Sequence, residues 1–240
     1  MRNFKLLAVM LLGVVFAVSS CKKDDDPDQT QIPKDGLVAY YPFNGNAKDL
    51  SGKGNHGTVH GDVVLTTDRK GNSNSAYDFP GVAFNYISVP HNPSLALDVF
   101  TINAWIFTKT DYGYGQVVQK NRDIFGGHYG LYTNCVIGKI DYENDVQASS
   151  PENPSIGKWH MITGSVSGKK AKFYIDGVLM DESIATDKFV YSGSDDLAIG
   201  MHYYEGVPDH WTYPYKGKID DIRIYNRVLS DKEIQALYNE

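Results

Sequence analysis

The chain has 240 residues, with 23 Lys and Arg against 29 Asp and Glu and a formal charge of −6. That balance argues against nucleic acid, which asks for a basic face, and the length is enough for one sizeable all-β domain. Only two cysteines are present, Cys21 and Cys135; with Cys21 consumed as described below, neither a disulfide framework nor a thiolate metal site is available.

Arg2 and Lys5 precede an apolar run, Leu6 to Val18, that is too short to span a bilayer well, and Ser19-Ser20-Cys21 supplies small residues at a cleavage point. Residues 1–20 are therefore expected to be a signal peptide. Val18-Ser19-Ser20-Cys21 resembles a bacterial lipobox, whose cysteine is lipidated and becomes the mature N-terminus; ordinary secretion with Cys21 in the tail is the alternative. Residues 21–35 read as a flexible acidic tether, because Lys22-Lys23-Asp24-Asp25-Asp26-Pro27-Asp28 is charged, carries a proline and has no apolar residue. This run is also similar to the acidic export tag of surface lipoproteins in one group of Gram-negative gut bacteria. The resemblance implies an outer-membrane lipoprotein exposed at the cell surface and held to the membrane through Cys21.

The folded domain is expected over 36–240. Leu37–Phe43 reads as a strand ending at Pro42, which interrupts a ladder. A polar Gly/Asn-rich loop follows, from Asn44 to Gly57. Loops of this length tend to be functional, and its oxygens (Asn44, Asn46, Asp49, Ser51, Asn55) suit a hard cation such as calcium. Strand-like runs come next at Thr58–Leu65, Ala76–Phe79, Tyr86–Val89, Phe100–Phe107, Gln116–Gln119, His128–Thr133, Val136–Tyr142, Trp159–Val166, Ala171–Ile175, Val178–Ile184, Leu197–Met201 and Lys216–Tyr225. Asp176-Gly177 between two apolar runs marks a type I′ hairpin. Many short strands without helical periodicity between them predict a β-sandwich or jelly roll. One helix is expected at the C-terminus: Ser230-Asp231-Lys232-Glu233 has the capping-box form, and Ile234, Leu237 and Tyr238 make one apolar stripe.

Lys216–Tyr225 raises the sharpest question. Alternation along a strand puts Asp220, Ile222 and Ile224 on one face and Asp221, Arg223 and Tyr225 on the other. A carboxylate among isoleucines must be paired, hydrogen-bonded or metal-bound, whereas Asp221 and Arg223 can pair in solvent.

Three stretches carry a family resemblance. Gly36–Phe43 with Asp49 and Gly54-Asn55-His56-Gly57, then Phe100–Trp105, then Lys216–Asn226 with Leu229-Ser230 and Leu237-Tyr238 resemble the opening, the central strand and the closing strand and helix of concanavalin A-like, laminin G-type jelly-roll domains of bacterial surface proteins. The resemblance implies an all-β fold: a two-sheet antiparallel jelly-roll sandwich with one short C-terminal helix. It also implies a structural calcium, with Asp220 as one ligand and Asp49 and Asn55 as others, clamping the first loop to the last strand. The alternative is that Asp220 accepts backbone amides and Asp49 caps a turn.

For catalysis, the E-x-D-x-E motif of related jelly-roll glucanases is absent. Its nearest echo is Asp141-Tyr142-Glu143-Asn144-Asp145. Alternating carboxylates on a strand would suit glycoside hydrolysis, with Glu143 working beside Asp141 or Asp145; a solvated strand end is the plainer reading. No metalloprotease, nucleophile-elbow or phosphate-loop pattern occurs. For binding, the loop 203–215 carries Tyr203, Tyr204, Trp211, Tyr213 and Tyr215 amid prolines and polar residues. Trp211, Tyr213, Tyr204 and Tyr215 are the candidates for stacking on sugar rings, against a loop folded back with its rings buried. The expectation is a surface-anchored, non-catalytic domain binding a glycan or polysaccharide. A glycoside hydrolase or lyase, and an adhesin that engages another surface protein, are the alternatives.

Overall fold

The structure is a computed structural model, and it describes residues 31–110, 115–120, 127–141, 143–201 and 213–240. Among them lie fifteen strands: β1 (Leu37–Tyr41), β2 (Thr58–His60), β3 (Val64–Thr66), β4 (Ala76–Pro80), β5 (Tyr86–Val89), β6 (Val99–Thr108), β7 (Gln116–Lys120), β8 (His128–Tyr132), β9 (Cys135–Lys139), β10 (Asp145–Ser149), β11 (Trp159–Ser167), β12 (Lys170–Ile175), β13 (Val178–Ile184), β14 (Leu197–Ile199) and β15 (Lys216–Tyr225). One helix, α1 (Asp231–Tyr238), follows.

The described strands form two antiparallel sheets. One runs β13-β12-β11-β6-β15-β4-β3, with β1 also on β15; the other runs β10-β9-β8-β7-β14-β5-β2. This is the expected sandwich. Its core forms where the inward residues of alternating strands meet: Phe100, Ile102, Ala104 and Ile106 of β6 and Ile219, Ile222 and Ile224 of β15 face Val118, Leu131, Val136 and Ile199 from the other sheet. Gly164 in β11 permits the close approach of the two layers, since a Cβ there would lie 2.3 Å from Val136.

A second, smaller core lies on the outer face of the eight-stranded sheet. Trp105, Met161, Tyr174, Tyr225 and Leu229 pack there against Ile234 and Leu237 of α1. The helix forms as its sequence indicates: the Ser230 side chain and the Glu233 side chain close both halves of the capping box. Asp176 and Gly177 both take positive φ, 51° and 76°, as a two-residue primed hairpin requires. Trp105 and Trp159 pack as expected.

Two expectations change. Thr58–Leu65 is not one strand; Gly61 at φ 67° turns the chain, and β2 and β3 join different sheets. β10 (Asp145–Ser149), which is not among the expected strands, pairs with β9 in full register. Cys135 is buried, and burial followed by the Asp145 charge pushes its thiol up to about 12, which leaves it a small inert hydrophobe. Among the described residues no helix is long and apolar enough to cross a membrane.

Candidate functional site

β15 changes neighbours midway. Lys216–Ile219 pair with β4, and Ile222–Tyr225 pair with β1. Between these ladders the register against β6 shifts from Asp220↔Trp105 to Arg223↔Asn103, a β-bulge with Asp221 in the left-handed region at φ 44°. The bulge adds one residue, so the face assignment read from strict alternation is corrected. Ile219, Ile222 and Ile224 share the inner face, while Asp220 turns outward to the Trp105 side. It remains buried there, 2% exposed.

Its partner comes from the turn between β3 and β4. Arg69 Nη1 lies 3.3 Å from Asp220 Oδ2 and donates to Asp221 Oδ2, and its guanidinium sits 4.5 Å over the Trp105 ring. Tyr40 donates its hydroxyl to Asp221 Oδ1 at 3.0 Å, and the Asp221 amide donates to Asp220 Oδ1 at 2.7 Å. Burial, then the Asp221 charge, push the Asp220 carboxyl up to about 8, with the Asp221 amide and Arg69 opposing. Arg223 does not pair with Asp221 in solvent. It is buried, 3.9 Å from Asp221 and 2.7 Å from Glu240, and lies 4.3 Å over the Tyr40 ring. Tyr40, Arg69, Asp220, Asp221 and Glu240 line a polar cavity of about 160 Å³ that Pro42 and Asn44 of the first loop complete.

Asp49 and Asn55 do not join this cluster. Asp49 accepts from the amides of Tyr40 (2.9 Å), Ser51 (2.8 Å) and Asn55 (2.9 Å) and from the Ser51 hydroxyl (2.9 Å). Both of its oxygens are therefore engaged in holding the loop. Asn55 Nδ2 donates to Val38 O and Ser94 Oγ, which leaves its buried Oδ1 without a partner. One free amide oxygen does not supply the six to eight oxygens that calcium takes. At Asp220 a guanidinium already stands against the carboxylates. The residues expected to hold calcium thus do not fit that ion.

The acidic run is not a strand with alternating carboxylates. Asp141 accepts from the Glu143 and Asn144 amides and from Asn144 Nδ2, all within 3.0 Å, which makes a surface turn. The Asn144 side chain leads in holding the Asp141 carboxyl below the usual range. Asp145 opens β10 and pairs with Lys139 at 3.5 Å. Glu143, Asp141 and Asp145 are therefore not arranged as the paired acids that glycoside hydrolysis needs. A Ser155–His160–Asp176 line also exists, at 2.7 and 2.8 Å. Ser155 is exposed on a loop, and Asp176 also accepts from the Met161 amide, so the line reads as a clasp that ties the hairpin to β11.

Of the expected ligand aromatics, Trp211 and Tyr204 lie outside the described residues, as does Cys21. Tyr213 is 48% exposed. Tyr215 is corrected: it is 1% exposed, its ring meets Phe79 edge-on, and its hydroxyl donates to Lys218 O, so it serves the core. Sequence reasoning missed other exposed and outward-facing aromatics. The loop after β4 presents Phe84, 54% exposed at φ 66°, and residue 81 abuts Lys216 at the start of β15. Tyr213 itself lies beside β7, through a bond from the Gln116 amide to its carbonyl. On the outer face of the seven-stranded sheet, Tyr86 stacks on His60 at 4.7 Å, and His60 Nε2 meets Ser88 Oγ at 2.7 Å. Tyr132 donates to Gln119 on the same face. The short apolar run Val82-Ala83-Phe84 inside a turn was the available signal.

A family model described as the concanavalin A-like lectin/glucanases superfamily matches residues 81–235. No curated protein matches the chain. Among solved structures, the chain is similar to domain 4 of AbnA, an extracellular arabinanase from Geobacillus stearothermophilus solved with arabinotriose. The TM-score is 0.69 at 19% identity, covering 84% of this chain and 98% of that one. It is also similar to the binding domain of Paraclostridial mosquitocidal protein 1, with a TM-score of 0.66, 20% identity and coverage of 86% and 52%. A botulinum neurotoxin type C structure, whose cell entry depends on two ganglioside molecules, gives 0.66, 17%, 86% and 51%. The chain spans about half the length of these two toxin chains.

Proposed function

Since the chain belongs to the concanavalin A-like lectin/glucanases superfamily, we propose that it is a carbohydrate-binding domain without catalytic activity of its own, held at the cell surface through Cys21. The observation that carries this reading is the Tyr86 ring stacked on the His60 imidazole beside the Ser88 hydroxyl on the seven-stranded sheet. His60, Tyr86 and Ser88 lie on its outer face, with Tyr213 and Phe84 exposed on the adjoining loops. Sugars present an apolar ring face and a rim of hydroxyls, so stacking rings beside a few fixed polar groups suit them. The arabinotriose complex of the AbnA domain and the ganglioside dependence of the type C neurotoxin support the class of ligand.

The test is affinity electrophoresis of residues 31–240 through gels loaded with plant and host polysaccharides, backed by a glycan array. Retardation by at least one polysaccharide, weakened by Trp211→Ala and by Tyr86→Ala without loss of cooperative melting, is the expected result. A domain that melts cooperatively yet is retarded by none of them and binds no arrayed glycan overturns the reading. The anchor is tested by metabolic labelling with a radioactive fatty acid, which Cys21→Ser should abolish.

A further inference from the structure

We propose that Arg69 is a built-in cation: its guanidinium occupies the position between the first and last strands that a divalent ion would otherwise take, and it makes the domain independent of calcium. The ladder along β15 is interrupted where β4 hands over to β1, and both carboxylates of the bulge turn into that gap. Two adjacent buried carboxylates repel each other, so one tends to keep its proton and the charge that remains needs a counterion. Arg69 supplies one. Its side chain is 8% exposed, one nitrogen faces both Asp220 and Asp221, and the flat face rests on Trp105. A guanidinium suits this spot better than a compact ammonium, because it is weakly hydrated, planar and able to stack while it donates.

Asp68 and Glu240 line the same cavity. Asp68 is committed to its own turn, accepting from the Lys70 and Asn72 amides at 2.8 Å, and Glu240 is held by Arg223. That turn is what presents Arg69, so the β3–β4 connection is fastened to the last strand by charge. With the guanidinium in place, a second cation would meet repulsion and find the carboxylate oxygens already taken.

The experiment is thermal melting of residues 31–240, and of the Arg69→Met, Arg69→Lys and Arg69→Ala variants, each in chelator and in millimolar calcium chloride. For the wild type, the expected result is the same Tm in both buffers. Arg69→Met should lower Tm by about 10 °C, as expected when one partner of a buried pair is removed. Arg69→Lys should fall between the two. Calcium should raise the Tm of Arg69→Ala, where the carboxylates have lost their counterion. If Arg69→Met does not fold, Arg69→Met combined with Asp220→Asn and Asp221→Asn should recover the fold, because all the stranded charges are then gone. A wild-type Tm that rises with calcium and falls with chelator overturns the proposal, and so does an Arg69→Met variant as stable as the wild type.

Discussion

Asp220 and Trp105 are register partners across β15 and β6, and the Arg69 guanidinium pairs with the first while lying over the ring of the second. Position, charge and stacking are thus set by one interaction of three side chains. The carboxylate needed a partner, and it found one 151 residues earlier in the chain.

This arrangement predicts a pH dependence. The Asp220 carboxyl is raised from 3.8 to about 8 in the folded chain, by burial first and the Asp221 charge second. Between these values the folded state holds a proton that the unfolded state has lost. Its stabilising contribution is complete below about pH 4 and disappears as pH rises through about 8, with each pKa unit worth about 1.4 kcal/mol. Melting curves across that window should show wild-type Tm falling with rising pH, and Asp220→Asn should flatten this part of the profile. An equal slope in both proteins would contradict the assignment.

The hairpin clasp is predicted to be structural. Asp176→Ala removes the acceptor for the Met161 amide and the His160 partner and strains a position held at φ 51°. A loss of about 1–3 kcal/mol is expected in chemical denaturation, whereas Asp176→Asn, tolerant of that conformation, should lose less. Ser155→Ala should leave stability unchanged, and the wild type should cleave no p-nitrophenyl ester above background.

Two tyrosines two residues apart are predicted to behave oppositely. Tyr215→Ala should cost about 3–5 kcal/mol, as for other large buried rings, because the ring sits against Phe79 in the core. Tyr213→Ala should leave Tm nearly unchanged and weaken polysaccharide retardation. Running both variants by melting and by affinity gel separates packing from contact.

The helix cap offers a further check. Ser230→Ala removes the acceptor of the Glu233 amide and should cost about 1 kcal/mol. The Glu233 carboxyl is held down to about 2, chiefly by Arg227, which it meets at 2.6 Å. Its contribution is therefore present above about pH 4.5 and lost as pH falls through about 2; solvent access to the pair keeps it small. Acid titration of the far-UV signal of Arg227→Ala against wild type checks the sign.

The parts of this fold written in local pattern could be read without coordinates. The ends of β15, the Asp176-Gly177 turn and the capping box rest on residues adjacent in sequence, and all three stand where expected. The bulge did not announce itself, because a period of two carries no mark of an inserted residue, and one insertion turned Asp220 from the isoleucine face to the tryptophan face. Arg69 was invisible for a different reason: a lone arginine in a polar turn looks like solvent-facing charge until a distant strand is laid beside it. β10 was missed because Asp145-Val146-Gln147-Ala148-Ser149, although it alternates, is short, has only two apolar residues and runs straight on from an acidic stretch. Tyr215 was grouped with Tyr213 by composition, and only the junction with β15 separates a ring in the core from one outside it.

Among the described strands β1 pairs with β15 alone, Leu37 meeting Tyr225, and the Tyr225 hydroxyl reaches back to the Pro33 carbonyl. The first of the described strands therefore waits for the last of them before it has a neighbour. Such long-range closure places the domain among slow folders, in the millisecond-to-second range or beyond. During synthesis the unpaired edge of the first strand stays open to wrong partners until the last ten-residue strand emerges.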